Sequence, residues 1–175
     1  MHQFTELSER VARATLGALN DWLERTLDAL QTSGATLHVK NLQAIRLGKA
    51  MIAIGVFSAF EARLQDVLGA ADGFAAADEV LKNAGEDALS EEFSDFRKAV
   101  NALKHGQGRS YDALVSKSNR LPFRVKLPDE GFFFEGDVSE VDILVDADDA
   151  FVLRCATIIQ DVADAIKRAR PGTWL

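Results

Sequence analysis

A chain of 175 residues, 47% apolar and 27% charged, has the balance of one globular domain and is too short for two independent cores. Its 27 acids against 20 Lys and Arg leave a formal net charge of −7, which excludes a generic coater of polyanions but leaves room for a local basic patch. One cysteine, Cys155, excludes an internal disulfide, and no Cys/His grouping has zinc-ligand spacing, so neither a metal site nor a cofactor is expected.

The start of the chain lacks the basic and apolar regions of a secretory signal. The central uncharged run, Ala50 to Phe60, is too short to span a bilayer. The expectation is a soluble cytoplasmic protein without a membrane partner.

From roughly Phe4 to Gln31, Leu16, Leu19, Leu23, Leu27 and Leu30 recur at three- and four-residue steps, which predicts one long helix with a core or dimer face. Thr32, Ser33 and Gly34 break it. A second helix is predicted over roughly Lys40 to Gly69. It is apolar nearly all round in its middle, the pattern of a central helix. Gly48 and Gly55 each cost about 1 kcal/mol of helix propensity, which suggests close approach of another helix. Together these two apolar helices predict a homodimer.

A short helix is expected over roughly Ala75 to Ala84. The next begins at Ser90, read as its N-cap, and runs through Phe93, Phe96, Val100 and Leu103 to a basic end at Lys104 and His105, stopped by Gly106 and Gly108. A brief helix follows from Ser110 to Val115. The period then changes to two. Phe123, Val125 and Leu127 alternate with Arg124 and Lys126, and Val141, Ile143 and Val145 alternate likewise. These predict a small antiparallel hairpin between roughly Leu121 and Asp146, with Phe132, Phe133 and Phe134 offering a third short strand. Asp148 or Asp149 caps a last helix, whose inward face is Phe151, Cys155, Ile158, Ile159, Val162 and Ile166. The fold class is mainly α: an up-down helical bundle forming a single domain over residues 1–175, with a β insert over roughly 121–146.

Charge is segregated. Between Arg97 and Lys126 eight cations face the single acid Asp112, a net of +7, and between Asp129 and Asp149 nine acids face no cation. This predicts either a phosphate-binding groove on an acidic body or neutralisation within the insert, with Arg124 and Lys126 facing Glu140 and Asp142.

One constellation carries chemistry. Arg97, Asn101 and His105 are spaced by four, so on a helix they form a ridge climbing about 6 Å per step. A guanidinium grips phosphate in two places, Asn orients a hydroxyl or phosphate oxygen, and imidazole moves protons near neutral pH. Lys104 and Arg109 add charge near the ridge, and Gly106 permits close approach of a backbone or ligand. These are the parts for metal-free RNA cleavage, with a sheltered cleft at a dimer seam as the expected setting. The same ridge is also compatible with a purely structural role, since helix C-termini favour His.

The stretch from Phe96 to Ser110 (FRKAVNALKHGQGRS) resembles the signature of HEPN-type helical domains, in which Arg-Asn and a following His close a helix. The stretch from Gly55 to Leu68 (GVFSAFEARLQDVL) resembles the companion helix of that superfamily and contains Glu61. The resemblance implies a helical bundle that commonly dimerises, and an RNA- or nucleotide-binding function, often in toxin–antitoxin or phage-defence systems. By the same resemblance, Asn101, Lys104, His105 and Gly106 match the motif, while Val100 stands where the family has Arg and Arg97 lies one turn earlier. Binding without cleavage is therefore the first expectation. An active metal-independent endoribonuclease using His105 is the alternative, and a helical adaptor or antitoxin-type interaction protein is the second. Glu61 reads either as a carboxylate orienting Asn101 or His105, or as a surface charge.

Overall fold

The computed structural model describes residues 4–173, so the Met1–Gln3 start read for targeting lies outside it. Six α-helices and one 3-10 turn make up its regular structure: α1 (Phe4–Leu30), α2 (Thr36–Leu68), α3 (Gly73–Asn83), α4 (Asp87–His105), α5 (Arg109–Val115), the turn Ser118–Arg120, and α6 (Asp149–Ala169). The short loops between α1, α2, α3 and α4 pack each helix against its sequence neighbour. α6 returns to pack on α1, α2, α3 and α4, so α2 and α6 form the spine of the bundle.

The apolar stripe expected on α6 is buried in full: Phe151, Cys155, Ile158, Ile159, Val162 and Ile166 all lie in the core. Burial pushes the Cys155 thiol well above its ordinary pKa, which keeps it protonated and inert. Asp148 is the cap, its carboxylate accepting the Phe151 amide at 2.7 Å. Asp149 instead meets Lys49 of α2 at 2.5 Å and Asn20 of α1 at 2.6 Å, pinning α6 to both.

Two aromatic groups fill the core. Phe57, Phe60 and Phe74 surround Phe93 at ring distances of 5.9, 6.2 and 5.5 Å, joining α2, α3 and α4. Phe96 and Phe151 stack at 5.3 Å and Phe123 meets both edge-on at 5.0 and 5.2 Å, joining α4, the insert and α6. Between α4 and α6 the Arg154 guanidinium forks onto Glu92 at 2.8 and 2.6 Å and reaches Asp161 at 2.8 Å.

Of the glycines expected to admit a neighbour, Gly48 does so, since a Cβ there would lie 3.3 Å from the Leu19 side chain. Gly55 does not: it is exposed, with open space around it. The closest approach is at Gly73, the first residue of α3, where a Cβ would fall 2.7 Å from the Glu61 carbonyl oxygen and 2.8 Å from the Gln65 amide nitrogen. An 18-residue window of α2 has a mean hydropathy of 1.3, enough by length and composition to cross a bilayer. In the fold that helix packs against α1, α3, α4 and α6, and its outer side stays apolar and open, with Leu47 and Met51 exposed.

Ser90 is not an N-cap. α4 begins at Asp87, and Ser90 sits inside it, its hydroxyl hydrogen-bonded to the Asp78 carboxylate of α3.

The predicted β-hairpin does not form, and neither does a third strand from the aromatic run. Among the described residues the two alternating segments meet at one antiparallel bridge, Val125 with Val145, through Lys126 N–H to Leu144 O and Asp146 N–H to Arg124 O, both 3.0 Å. Carboxylates take the place of a ladder. Glu140 accepts the amides of Phe133 and Phe134 at 2.8 and 2.6 Å, Glu130 accepts that of Leu127 at 2.9 Å, and Asp137 accepts that of Ser139 at 2.9 Å. Pro122 and Pro128 bring no amide donors at either end of the first segment. Leu127 and Ile143, the next pair in this register, give their amides to the Glu130 carboxylate and, at 2.8 Å, to the Val141 carbonyl, so the bridge does not lengthen.

Asp146, beside that bridge, is half-buried near Arg46, Phe133 and Glu140. Burial and the nearby Asp148 charge push its pKa up, against the pull of Arg46 and Arg124. A carboxyl raised in the folded state costs stability once pH exceeds its folded pKa, and costs nothing below its ordinary value of 3.8. Asp146→Asn is therefore expected to raise the melting temperature at pH 7, with the gain disappearing near pH 4. An equal or lower melting temperature at pH 7 would show that the carboxylate has partners that offset its burial.

Candidate functional site

α4 ends because Gly106 takes φ 75°, a conformation costly for any residue with a Cβ, and its amide closes the last turn on the Ala102 carbonyl at 2.9 Å. Gly108, at φ 152°, then turns the chain directly into α5. This tight reversal lays the first residues of α5 beside the C-terminal half of α4.

The result is an open groove of about 420 Å³. Arg97, Lys98 and Asn101 of α4 and Arg109 and Ser110 of α5 form one side of its lining, and Glu61 of α2 with Asp72 and Phe74 at the start of α3 complete it. Four sequence-derived candidates, Arg97, Asn101, Arg109 and Glu61, thus share one groove. Lys104 and His105 are exposed at the end of α4 and do not line it. Gly106 acts in the helix stop, and a Cβ there would meet open space rather than a neighbour.

The reason His105 leaves the ridge is geometric. Four residues of α-helix turn about 400°, so each step of four drifts about 40°, and His105 sits about 80° round from Arg97. Glu61 lines the groove, but among the described residues its carboxylate makes no hydrogen bond or ion pair with Asn101 or His105. The orienting role read from sequence has no bond to carry it in this chain alone.

The charge pattern decides which cations are available. Lys98 and Lys117 share Asp95, with Lys98 at 3.5 Å, and Lys117 also approaches Glu91 at 3.8 Å. Arg124 pairs with Glu130 at 3.3 Å and Lys126 with Glu140 at 3.9 Å, so internal neutralisation holds for both, with Glu130 in place of Asp142. Among the described residues Arg97, Lys104, Arg109 and Arg120 have no carboxylate within 4 Å. Arg97 still acts at longer range on Asp78. Burial raises the pKa of that carboxyl, but hydrogen bonds from Lys82 and Ser90, with the Lys82 and Arg97 charges, bring it below the usual range.

Sequence reasoning missed Asp72, Phe74, Lys98 and Ser110. Asp72 had a readable signal: it precedes a Gly and an apolar run, and it caps α3 by accepting the Ala75 amide at 2.8 Å. The groove is consequently bipolar, with cations on the α4–α5 side and carboxylates on the α2–α3 side. Such a groove can hold an anion against its arginines while accepting hydrogen bonds from the same ligand's hydroxyl or amino groups. Among the described residues no group of three or more His, Cys, Asp or Glu is placed to hold a metal ion. No protein-family model, curated protein or solved structure matches the chain.

Proposed function

We propose that the chain is a HEPN-like domain that binds RNA or a nucleotide in the α4–α5 groove without cleaving it, in the cytoplasm and in a toxin–antitoxin or phage-defence setting. The observation that carries this reading is the convergence of Arg97, Asn101 and Arg109 on one open groove, with neither arginine held by an ion pair. A phosphate near the two arginines would leave a ribose hydroxyl or a base amino group to face Glu61 and Asp72. The exposed position of His105 favours binding over catalysis, because a general acid or base must reach the reacting atom.

The test is fluorescence anisotropy with a labelled 12-nucleotide single-stranded RNA between 50 and 200 mM salt. With two or three phosphate contacts, the slope of log K against log salt is expected at about −1.4 to −2.1, and Arg97→Ala or Arg109→Ala should each reduce its magnitude by about 0.7. His105→Ala should leave binding within about twofold. Binding that ignores salt or both arginine substitutions would sink the reading. Chelator-resistant cleavage lost in His105→Ala would favour the endoribonuclease.

A homodimer forms part of the same proposal. Its support is the open groove lined by Phe4, Leu7, Val11, Ile52, Gly55 and Val56 between α1 and α2, in which Val11 is 63% exposed, together with Met51 of α2, 62% exposed. Sedimentation at micromolar concentration is expected to give a dimer, and Val11→Lys with Met51→Lys a monomer. A monomeric wild type would remove the proposal.

A further inference from the structure

The insert between α5 and α6 carries a second surface, chemically unlike the groove. Phe132, Phe134 and Val138 are 53%, 54% and 73% exposed, while Phe133 between the two rings is buried. The chain therefore directs one aromatic ring inward and two outward within three residues.

The outward rings stand on a fixed base. The Glu140 carboxylate holds the amides of Phe133 and Phe134, and the Arg124 guanidinium lies 5.5 and 5.2 Å from the centres of those two rings. Lys126 lies 5.0 Å from the Phe133 ring centre on the buried side. From α2, Gln43 donates to the Val138 carbonyl at 3.3 Å, and Arg46 pairs with Asp137. Burial raises the pKa of the Asp137 carboxyl, but the Ser139 hydroxyl and amide, with Arg46, bring it below the usual range, so this clamp is charged at neutral pH. An apolar cluster anchored in this way loses little conformational freedom when a partner covers it.

The surrounding charge selects the partner. Glu130, Asp137, Glu140 and Asp149 are neutralised inside the fold. Asp129, Glu135 and Asp142 are exposed, and among the described residues none has an ion pair. Each lies within four residues of one of the three apolar side chains. Unpaired carboxylates this near to exposed apolar side chains repel RNA and anionic lipid, and they complement a protein segment that offers apolar anchors flanked by Lys or Arg. Aromatic side chains at the centre of such a patch are the usual energetic anchors.

We propose that this face, Phe132, Phe134 and Val138 with the neighbouring carboxylates of Asp129, Glu135 and Asp142, docks a basic amphipathic segment of a partner protein. A second copy of this chain fits less well. Among the described residues its cations without an ion pair are Arg10, Arg25, Lys40, Arg97, Lys104, Arg109, Arg120 and Arg170, all outside residues 121–146, so the contact would join two different surfaces of the chain instead of pairing this face with itself.

The experiment uses the full chain and a fluorescein-labelled 14-residue peptide of alternating Leu and Lys, with the Leu and Glu version as control. The Lys peptide is expected to bind and to weaken with salt. Phe132→Ala with Phe134→Ala should weaken it at least tenfold, and Glu135→Lys severalfold. The Glu peptide should not bind. These side chains are exposed, so melting temperatures should not change, and Glu135→Lys tests the carboxylates without touching the apolar side chains. Equal binding by the double variant, or by the Glu peptide, overturns the proposal. So does wild-type self-assembly abolished by the double variant, which assigns the face to a second copy, or RNA binding abolished by it, which assigns the face to RNA. Arg97→Ala with Arg109→Ala should leave peptide binding intact, so failure here and failure of the groove reading are separable.

Discussion

Phe93→Ala is expected to cost about 3–5 kcal/mol of stability, the range for removing a large aromatic side chain from a packed core. Phe93 is 1% exposed and touches three rings from two other helices. The packing geometry adds about 0.5–1.5 kcal/mol per aromatic pair to the burial itself, so the upper half of the range is expected. A domain typically has about 5–15 kcal/mol in total. For a chain of this length the loss corresponds to a fall in melting temperature of about 6–20 °C. Phe132→Ala, on the exposed insert, should stay within about 0.5 kcal/mol. Urea denaturation of the two variants side by side checks both. A loss below 1 kcal/mol for Phe93→Ala would mean that the junction of α2, α3 and α4 is not packed as described. Because Phe74 lines the groove and packs on Phe93, the same variant should also weaken ligand binding at temperatures where it remains folded.

Glu140→Ala should act locally and just as strongly. The Glu140 side chain is almost wholly buried, as is that of its partner Lys126. Its removal leaves the Phe133 and Phe134 amides without their acceptor, at about 1–3 kcal/mol each where water cannot replace it. It also leaves a buried ammonium with the Phe133 ring and the more distant Glu130 charge for compensation, and breaking a buried pair in this way costs about 3–5 kcal/mol. The insert can escape these penalties by opening into solvent while the helices stay packed. Chymotrypsin cleavage at Phe132–Phe134 is therefore expected to speed up by about 100-fold, as about 3 kcal/mol of lost local stability requires. Glu135→Ala, one residue beyond the aromatic run and exposed, should leave cleavage unchanged. A Glu140→Ala insert as resistant as wild type would show that the amide contacts do not hold the loop.

The helices were legible because a buried stripe imposes its period on the residues that form it. On α6 all six residues read as inward are buried, and Val152, Ala156, Ala163 and Ala165, which the reading did not name, join them. On α1 the leucine stripe was readable, but its depth was not: Leu16 is buried while Leu27 stays exposed, because the neighbouring helices cover only part of α1. The start of α4 was misplaced for a different reason. Glu86 donates its amide to the Leu81 carbonyl at 2.9 Å, so the backbone of the preceding turn leads straight into the helix without a side-chain cap. In the insert the alternation was real, but a period of two does not reveal whether backbone groups bond to another strand or to carboxylates. At the groove, spacing brought Arg97 and Asn101 together correctly and overextended the ridge to His105. Asp72 was legible as a cap but not as a groove residue, and Phe74 had no local signal, since both join the groove through Gly73, which lets α3 start against the backbone of α2.

The packing of α6 on α1 has a consequence for how the chain is made. Asn20 and Asp149, 129 residues apart, are hydrogen-bonded neighbours, and α6 supplies ten buried residues to a core that spans every other long helix. On the ribosome α6 emerges after α1 to α5, at about 5–20 residues per second. Until it arrives, the side of α2 that faces α6 has no cover, on the most apolar helix of the protein. Nascent chains ending before Asp149 therefore leave this apolar surface uncovered, the form that chaperones bind and that aggregates when they are depleted.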